Sequence, residues 1–282
     1  MLWLFSISGK NDNAMIAIKI LLTFFLAYLF LCLYLYLFQE KKIFFPPPSN
    51  DSYESIPEEN NLVYEINGLR LEGIYSGKLD NTKPVVIYFG GNAEDVFYNY
   101  PDFKKHLNAQ FVAFNYRGFS RNEGKPTVDA LLQDSDAIIE KIITEFSLDT
   151  RNIVLMGRSF GAAIAMQLSN RKEYAGIILI SPFDSMENIA KRYFPWMPIS
   201  LLLKHRLDSY AIAKQSDIPL LILAASNDDV IPIEHSKVLY DAWLGENKQI
   251  EVIENAGHNT ISNAQRYFSV INHYINENIR ID

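Results

Sequence analysis

Residues 153–166 read Ile153-Val154-Leu155-Met156-Gly157-Arg158-Ser159-Phe160-Gly161-Ala162-Ala163-Ile164-Ala165-Met166. The apolar front suits a buried strand, the alanine-rich tail suits a helix, and a G-x-S-x-G turn joins them. A serine on so sharp a turn takes strained backbone geometry. Glycines two residues to either side let strand and helix pass without a Cβ clash. The serine hydroxyl is then presented at the carboxyl end of a sheet. Five letters alone are a weak signal; the strand, turn and helix around them make it specific.

A serine hydroxyl is a poor nucleophile until a base takes its proton, and the base needs an acid to orient it. Both follow in the order Ser, Asp, His that such a turn uses. Leu220-Leu221-Ile222-Leu223-Ala224 reads as a buried strand, and Asn227-Asp228-Asp229 lies on the loop after it. Ile250-Glu251-Val252-Ile253 reads as another, followed by Asn255-Ala256-Gly257-His258-Asn259. Parallel strands gather such loops at one sheet edge, where ligands bind in open α/β folds. Adjacent side chains point different ways, so only one of Asp228 and Asp229 can reach the histidine; Asp228 is preferred. His106, His205, His235 and His273 are rivals to His258, but only His258 sits in a Gly-His turn after the last strand.

Acyl transfer also needs donors aimed at the developing oxyanion. One is expected to be the backbone N–H of Phe160. The other should come from the loop after Val85-Val86-Ile87-Tyr88-Phe89, where Gly90-Gly91-Asn92-Ala93 lets the main chain approach a ligand closely. Asn92 is the expected donor and Ala93 the alternative.

Outward from these motifs, Leu62-Val63-Tyr64-Glu65-Ile66 and residues 69–75 flank Asn67-Gly68, a strong hairpin signal. Strand-like runs follow at 85–89, 111–115, 153–156, 177–180, 220–224 and 250–253. Helical stretches are predicted near 98–108, 127–146, 160–170, 235–244 and 260–279. A hairpin followed by β-α alternation predicts an eight-stranded, mostly parallel sheet with flanking helices, in a catalytic domain over 61–282. The long stretch between two of the strands, about 182–216, predicts a small helical cap over the site. Phe194, Trp196 and Met197, from its apolar run, are candidates for an acyl-chain pocket or a bilayer contact.

The N-terminal region, residues 1–45, is of another kind. Ile20 to Phe38 is nineteen residues without a charge, bracketed by Lys19 and by Glu40, Lys41 and Lys42. That is long enough to cross a hydrocarbon core of ~30 Å. It is longer than the apolar part of a signal peptide, and no A-x-A-like site follows it, so a retained single-pass anchor over about 15–38 is expected. Lys10 and Lys19 before the span balance Lys41 and Lys42 after it, and the positive-inside rule therefore assigns no side to the catalytic domain. Phe44-Phe45-Pro46-Pro47-Pro48 opens a linker, 46–60, in which prolines stop the helix and carry the chain away extended.

Of the chain's 26 basic and 33 acidic residues, the first 45 positions hold four (10, 19, 41, 42) and two (12, 40), so the remainder carries a net charge of −9. Such a body is a poor match for nucleic acid. The one cysteine, Cys32, lies within the apolar span, and the five histidines are scattered, which offers no tetrahedral metal cluster. Neither G-x-G-x-x-G nor a Walker loop is present, and no cofactor is expected. Arg117 is read as a scaffold residue rather than an anion site.

Taken together, 88–93, Asn115-Tyr116-Arg117-Gly118-Phe119-Ser120, 157–161, Ser181-Pro182-Phe183-Asp184-Ser185, Asp228-Asp229-Val230-Ile231-Pro232 and 257–259 resemble the BEM46-like α/β-hydrolases over roughly residues 40–280. The resemblance implies the α/β-hydrolase fold and a triad that carries over to Ser159, Asp228 and His258. Counting four back from Pro232, as in the family pattern, selects Asp228. Two places depart from the family. Gly90-Gly91-Asn92-Ala93 stands where His-Gly-Asn-Ala is usual, and Ser120 and Asn122 replace a Gly and a Ser after Tyr-Arg-Gly. The expected activity is hydrolysis of a carboxylic ester or thioester, with a small or lipid-like acyl substrate. An amide hydrolase and a non-catalytic membrane-anchored binding protein are the alternatives.

Overall fold

The computed structural model describes residues 5–48 and 56–279, and the side chains from residue 13 onward. Residues 49–55 of linker 46–60 therefore lie outside the described residues. Helix α1 runs over Phe5–Phe38, and its stretch Asn13–Phe38 is long and apolar enough to cross a membrane. A single turn, α2 (Glu40–Ile43), follows, and the chain then extends into Pro46-Pro47-Pro48.

Strands β1 (Asn61–Ile66) and β2 (Leu69–Tyr75) form the hairpin. Asn67 and Gly68 both have positive φ (51° and 76°), as a type I′ turn requires. Next come β3 (Val85–Phe89), α3 (Tyr100–His106), β4 (Gln110–Phe114), α4 (Val128–Phe146), β5 (Ile153–Arg158), α5 (Phe160–Ser169) and β6 (Gly176–Ile180). Helices α6 (Met186–Tyr193), α7 (Ile199–Leu202) and α8 (Ser209–Ala213) fill the span where a cap was expected. Then β7 (Leu220–Ala225), α9 (Ile233–Ala242), β8 (Lys248–Ile253) and α10 (Arg266–Asn278) close the domain.

The eight strands lie in the order β1-β2-β4-β3-β5-β6-β7-β8. β2 is antiparallel to β1 and β4, and every pairing from β4 to β8 is parallel. Strands β3 to β7 are buried along their whole length, apart from the partly exposed Arg158 at the end of β5, because helices cover both faces of the sheet. One core layer joins α4, α5, α8 and α9 to the sheet through residues such as Leu131, Ile139, Ile164, Ala213 and Leu239. The other seats α3 and α10 through Phe103, Tyr267, Ile271 and Tyr274. In α4 the buried Val128, Leu131, Ile138, Ile139 and Ile142 recur at helical spacing, and the Thr127 side chain caps the start by accepting from the Ala130 N–H at 3.2 Å.

Three predicted helices shift at their starts. α3 begins at Tyr100, after a 3₁₀ turn over Val96–Asn99, with Pro101 in its first turn. α9 starts directly after Pro232. α10 starts at Arg266 rather than near 260, because Ile261–Asn263 is a separate 3₁₀ turn.

Residues 44–48 lie against the domain. Phe44 is buried, with its ring edge-on to Phe160 at 5.7 Å. The Pro47 carbonyl accepts from the Ser120 N–H at 3.0 Å. Prolines do keep the segment extended, but an apolar ring at its start docks it along the domain.

Candidate active site

Strand β5 ends at Arg158 and α5 begins at Phe160, so Ser159 alone makes the turn, at φ 53° and ψ −115°. A Cβ on Gly157 would collide with the Gly161 carbonyl, and one on Gly161 with the carbonyl oxygens of Phe89 and Gly90. Both glycines are required because strand and helix backbones touch here. β7 delivers Asp228 and β8 delivers His258 to the same edge.

The three side chains meet. His258 Nε2 lies 3.0 Å from Ser159 Oγ, and His258 Nδ1 lies 2.8 Å from Asp228 Oδ2. The Asp228 carboxylate divides its two oxygens. Oδ1 accepts from the N–H groups of Val230 (3.1 Å) and Ile231 (2.7 Å), which is a turn role, while Oδ2 faces the imidazole. Burial works against ionisation of Asp228, but the hydrogen bonds from His258 and the Ile231 N–H outweigh it and hold the carboxyl below its usual range. Asp229 is exposed. The rival histidines are used elsewhere: His235 pairs with Asp184 at 2.8 Å, His205 lies edge-on to Phe44, and His106 stacks on Phe268. His273 lies on α10.

A cavity of about 750 Å³ opens beside Ser159 and His258. Phe160, Asn92 and Ala93 are on its wall. The Gly91 N–H is occupied by Glu94 Oε2 at 2.7 Å, which leaves Asn92 and Ala93 as the amides of this loop for a ligand. Phe194 lines the cavity with Met186, Ile189 and Tyr193 of α6. Trp196 and Met197 do not line this cavity. Met197 is buried against Cys32 of α1 and Ile199, and Trp196 is exposed while its carbonyl accepts from the Tyr28 hydroxyl at 3.0 Å. The chain turns at 194–198, so neighbours in sequence face different surroundings.

Sequence reasoning missed the braces around the site. Glu94 accepts from the Tyr88 hydroxyl (2.7 Å), Asn99, the Gly91 N–H and Arg158 Nη1 (3.3 Å). Arg158 in turn donates through Nη2 to the His258 carbonyl (2.9 Å) and Asn259 Oδ1 (3.0 Å). Burial opposes the guanidinium charge, and Glu94 more than restores it, so the group stays cationic. The variable residue of G-x-S-x-G thus ties the loop after β3, which lacks the family's usual histidine, to the loop that carries His258. The other departures are also built in: Ser120 Oγ donates to Asp95 Oδ2 at 2.7 Å, and Asn122 links the Asn115 carbonyl to the Glu72 N–H. Arg117 holds Asp134 in a bidentate pair, the scaffold use expected of it.

Asn92 makes a further unforeseen contact. Its Nδ2 donates to the Ile43 carbonyl and its Oδ1 accepts from the Phe45 N–H at 3.1 Å. Lys42, Ile43, Phe45 and Pro47 accordingly form one wall of the cavity.

Comparison with known proteins agrees with this fold. The model of the serine aminopeptidase S33 family (Hydrolase_4) matches residues 80–208, and that of PhoPQ-activated pathogenicity-related protein matches 198–280. The Mycobacterium tuberculosis protein Rv2307c is 30% identical over 227 residues, spanning 78% of this chain and 80% of its own. Protein bem46 of Schizosaccharomyces pombe is 24% identical over 265 residues, spanning 87% and 88%. The chain belongs to the BEM46-like α/β-hydrolase family. Among solved structures, the Pyrococcus furiosus esterase Pf2001 superposes with a TM-score of 0.67 at 19% identity, over 84% of this chain and 99% of that one, a likeness of fold. In this BEM46-like chain, β1–β8 and the Ser159 turn constitute the hydrolase scaffold. The extended segment after α2 and helix α6 line its cavity.

Proposed function

We propose that this protein is a membrane-anchored serine hydrolase of carboxylic esters or thioesters, working through Ser159, His258 and Asp228. The observation that carries this reading is the continuous hydrogen-bonded line from Asp228 Oδ2 through both ring nitrogens of His258 to Ser159 Oγ, at 2.8 and 3.0 Å, beside a largely apolar cavity. Asp228, kept ionised, holds the imidazole with Nδ1 protonated and Nε2 free to act as base. His258 takes the Ser159 proton as Oγ bonds to the substrate carbonyl carbon. The oxyanion is received by the N–H groups of Phe160 and Asn92, or Ala93 in its place. His258 then gives that proton to the leaving oxygen or sulfur as its bond to carbon breaks. Water adds to the acyl-enzyme, losing a proton to His258, which returns it to Ser159 as the acid departs.

Helix α1 supports the anchor: 26 apolar-rich residues at 1.5 Å each reach ~39 Å, enough for a hydrocarbon core of ~30 Å. The match to an aminopeptidase family raises amide cleavage as a second reading. A free amino terminus calls for an unpaired carboxylate in the cavity. Among the described residues the acidic side chains lining it are Glu94 and Asp95. Glu94 is committed to Arg158, and buried Asp95 accepts from the Phe97 N–H and from Asn115 and Ser120. An acyl group without a charged amine fits better.

The test is the full chain in detergent against p-nitrophenyl esters from acetate to palmitate, with fluorophosphonate labelling. Activity and labelling that vanish in Ser159→Ala are expected. A folded wild-type protein that neither turns over nor labels would sink the proposal in favour of a non-catalytic binding protein.

A further inference from the structure

The cap meets α1 deep within the apolar span, not at its end. Tyr28 precedes Phe38 by ten residues, hence by about 15 Å along the helix. Its hydroxyl donates to the Trp196 carbonyl at 3.0 Å. Nearer the end of the span, Cys32 and Leu35 pack on Met197, Ile199, Leu202 and Leu203. Gln39 then fastens the contact, donating to the Leu202 carbonyl at 3.1 Å and accepting from the Lys204 N–H at 2.9 Å. The outward side of this loop is apolar: Leu201 is 83% exposed and Trp196 56%. If α1 crosses a bilayer over Asn13–Phe38, the loop around Trp196 lies beside its hydrocarbon, and Leu202, held by Gln39, lies at its edge.

The same contact frames a second space. A groove of about 110 Å³ is lined by Leu35 of α1, by Met197, and by Leu202 and Leu203 of the cap. It shares Lys42, Ile43, Ala190 and Phe194 with the 750 Å³ cavity that holds Ser159. The two spaces therefore adjoin, with these four residues between the flank of α1 and the cavity beside Ser159.

We propose that the two spaces join when Phe194 and Ile43 give way and admit the acyl chain of a bilayer lipid ester sideways from the leaflet, so that the substrate is a long-chain lipid ester whose chain stays in apolar surroundings until Ser159 reaches its carbonyl. Each methylene kept out of water is worth roughly a fourfold factor in partitioning, which favours such a path over transfer through solvent. The inference rests on the serine hydrolase reading for its chemistry, and on the groove alone for its binding.

The experiment uses the full chain in phosphatidylcholine vesicles and two serine probes, ethyl and hexadecyl fluorophosphonate. With either, the Ser159 Oγ–P bond forms, fluoride leaves and the proton passes to His258. The ratio of hexadecyl to ethyl labelling rate should fall tenfold or more in Leu202→Trp, which plugs the groove away from the nucleophile. An unchanged ratio overturns the proposal, and the ethyl probe reports whether the variant is folded. In parallel, a phosphatidylcholine bearing a diazirine at the end of its acyl chain is photolysed with Ser159→Ala. Crosslinks within 186–203 that disappear with Leu202→Trp support the groove without any catalysis. Their absence overturns it. Crosslinking without labelling of the wild type by either probe would uphold the groove and defeat the nucleophile instead.

Discussion

Asn92 grips the main chain on both sides of Phe44: its Nδ2 donates to the Ile43 carbonyl and its Oδ1 accepts from the Phe45 N–H at 3.1 Å. The residue proposed to supply an oxyanion donor is therefore fastened to the segment that follows α1 and α2. Position of the donor and position of residues 43–45 become one geometric variable.

Replacing Asn92 by Ala removes the clamp and leaves the backbone amide. A displacement of about 1 Å costs on the order of a hundredfold in rate. Asn92→Ala should lower kcat by roughly tenfold to a hundredfold with little change in KM. A chain beginning at Pro46, which lacks Ile43 and Phe45, should show the same loss. Ester kinetics beside thermal melting check this; a lower Tm with unchanged kcat would make the clamp purely structural.

Glu94 and Arg158 form a largely buried ion pair, with the side chains 11% and 18% exposed. Removing one member of such a pair leaves the other charge uncompensated, at a cost of about 3–5 kcal/mol. Glu94→Ala should accordingly unfold at lower denaturant concentration and also slow turnover, since Gly91 and the His258 loop both lose their brace. Denaturation curves and kcat on a short ester, measured on the same preparation, read the two effects separately.

The carboxyl of Asp228 is held below its ordinary value, so it contributes stability that is fully present above the unfolded carboxylate pKa of about 3.9 and is lost as pH falls through the folded value. Asp228→Asn should therefore melt below the wild type near neutral pH. The gap should close under acid conditions, where both side chains are neutral. Near neutral pH activity should drop by about 10⁴, because an amide no longer selects the productive imidazole tautomer. Paired melting curves at neutral and acid pH decide the matter: a gap that stays constant with pH contradicts the assignment.

Gly161 admits no side chain, since a Cβ would strike the Phe89 and Gly90 carbonyls. Backbone on both sides cannot step aside as a side-chain end would. Gly161→Ala should be destabilised by more than the 1–3 kcal/mol usual for overpacking, and should lose fluorophosphonate labelling because β3 and α5 are forced apart. Equilibrium unfolding beside probe labelling tests it, and a variant of wild-type stability would refute the close approach.

The amino-acid sequence by itself determined the strands, the Asn67-Gly68 hairpin and the parallel β-α alternation, because strand periodicity and turn chemistry are local properties. It also determined which serine, acid and histidine stand at strand ends, since parallel strands bring those ends to one edge wherever the helices pack. Tertiary structure alone decided what the side chains near that edge touch. Trp196 and Met197 read like their neighbour Phe194, yet a turn of the chain sends Met197 to the anchor helix and only Phe194 to the cavity. Arg158 reads as the variable position of a motif, but a loop 100 residues away supplies its partners. Asn92 reads as a backbone donor, and its side chain closes a contact with Ile43, 49 residues earlier. Such pairings depend on the packing of segments distant in sequence, and neither periodicity nor spacing encodes the direction in which a side chain finally points.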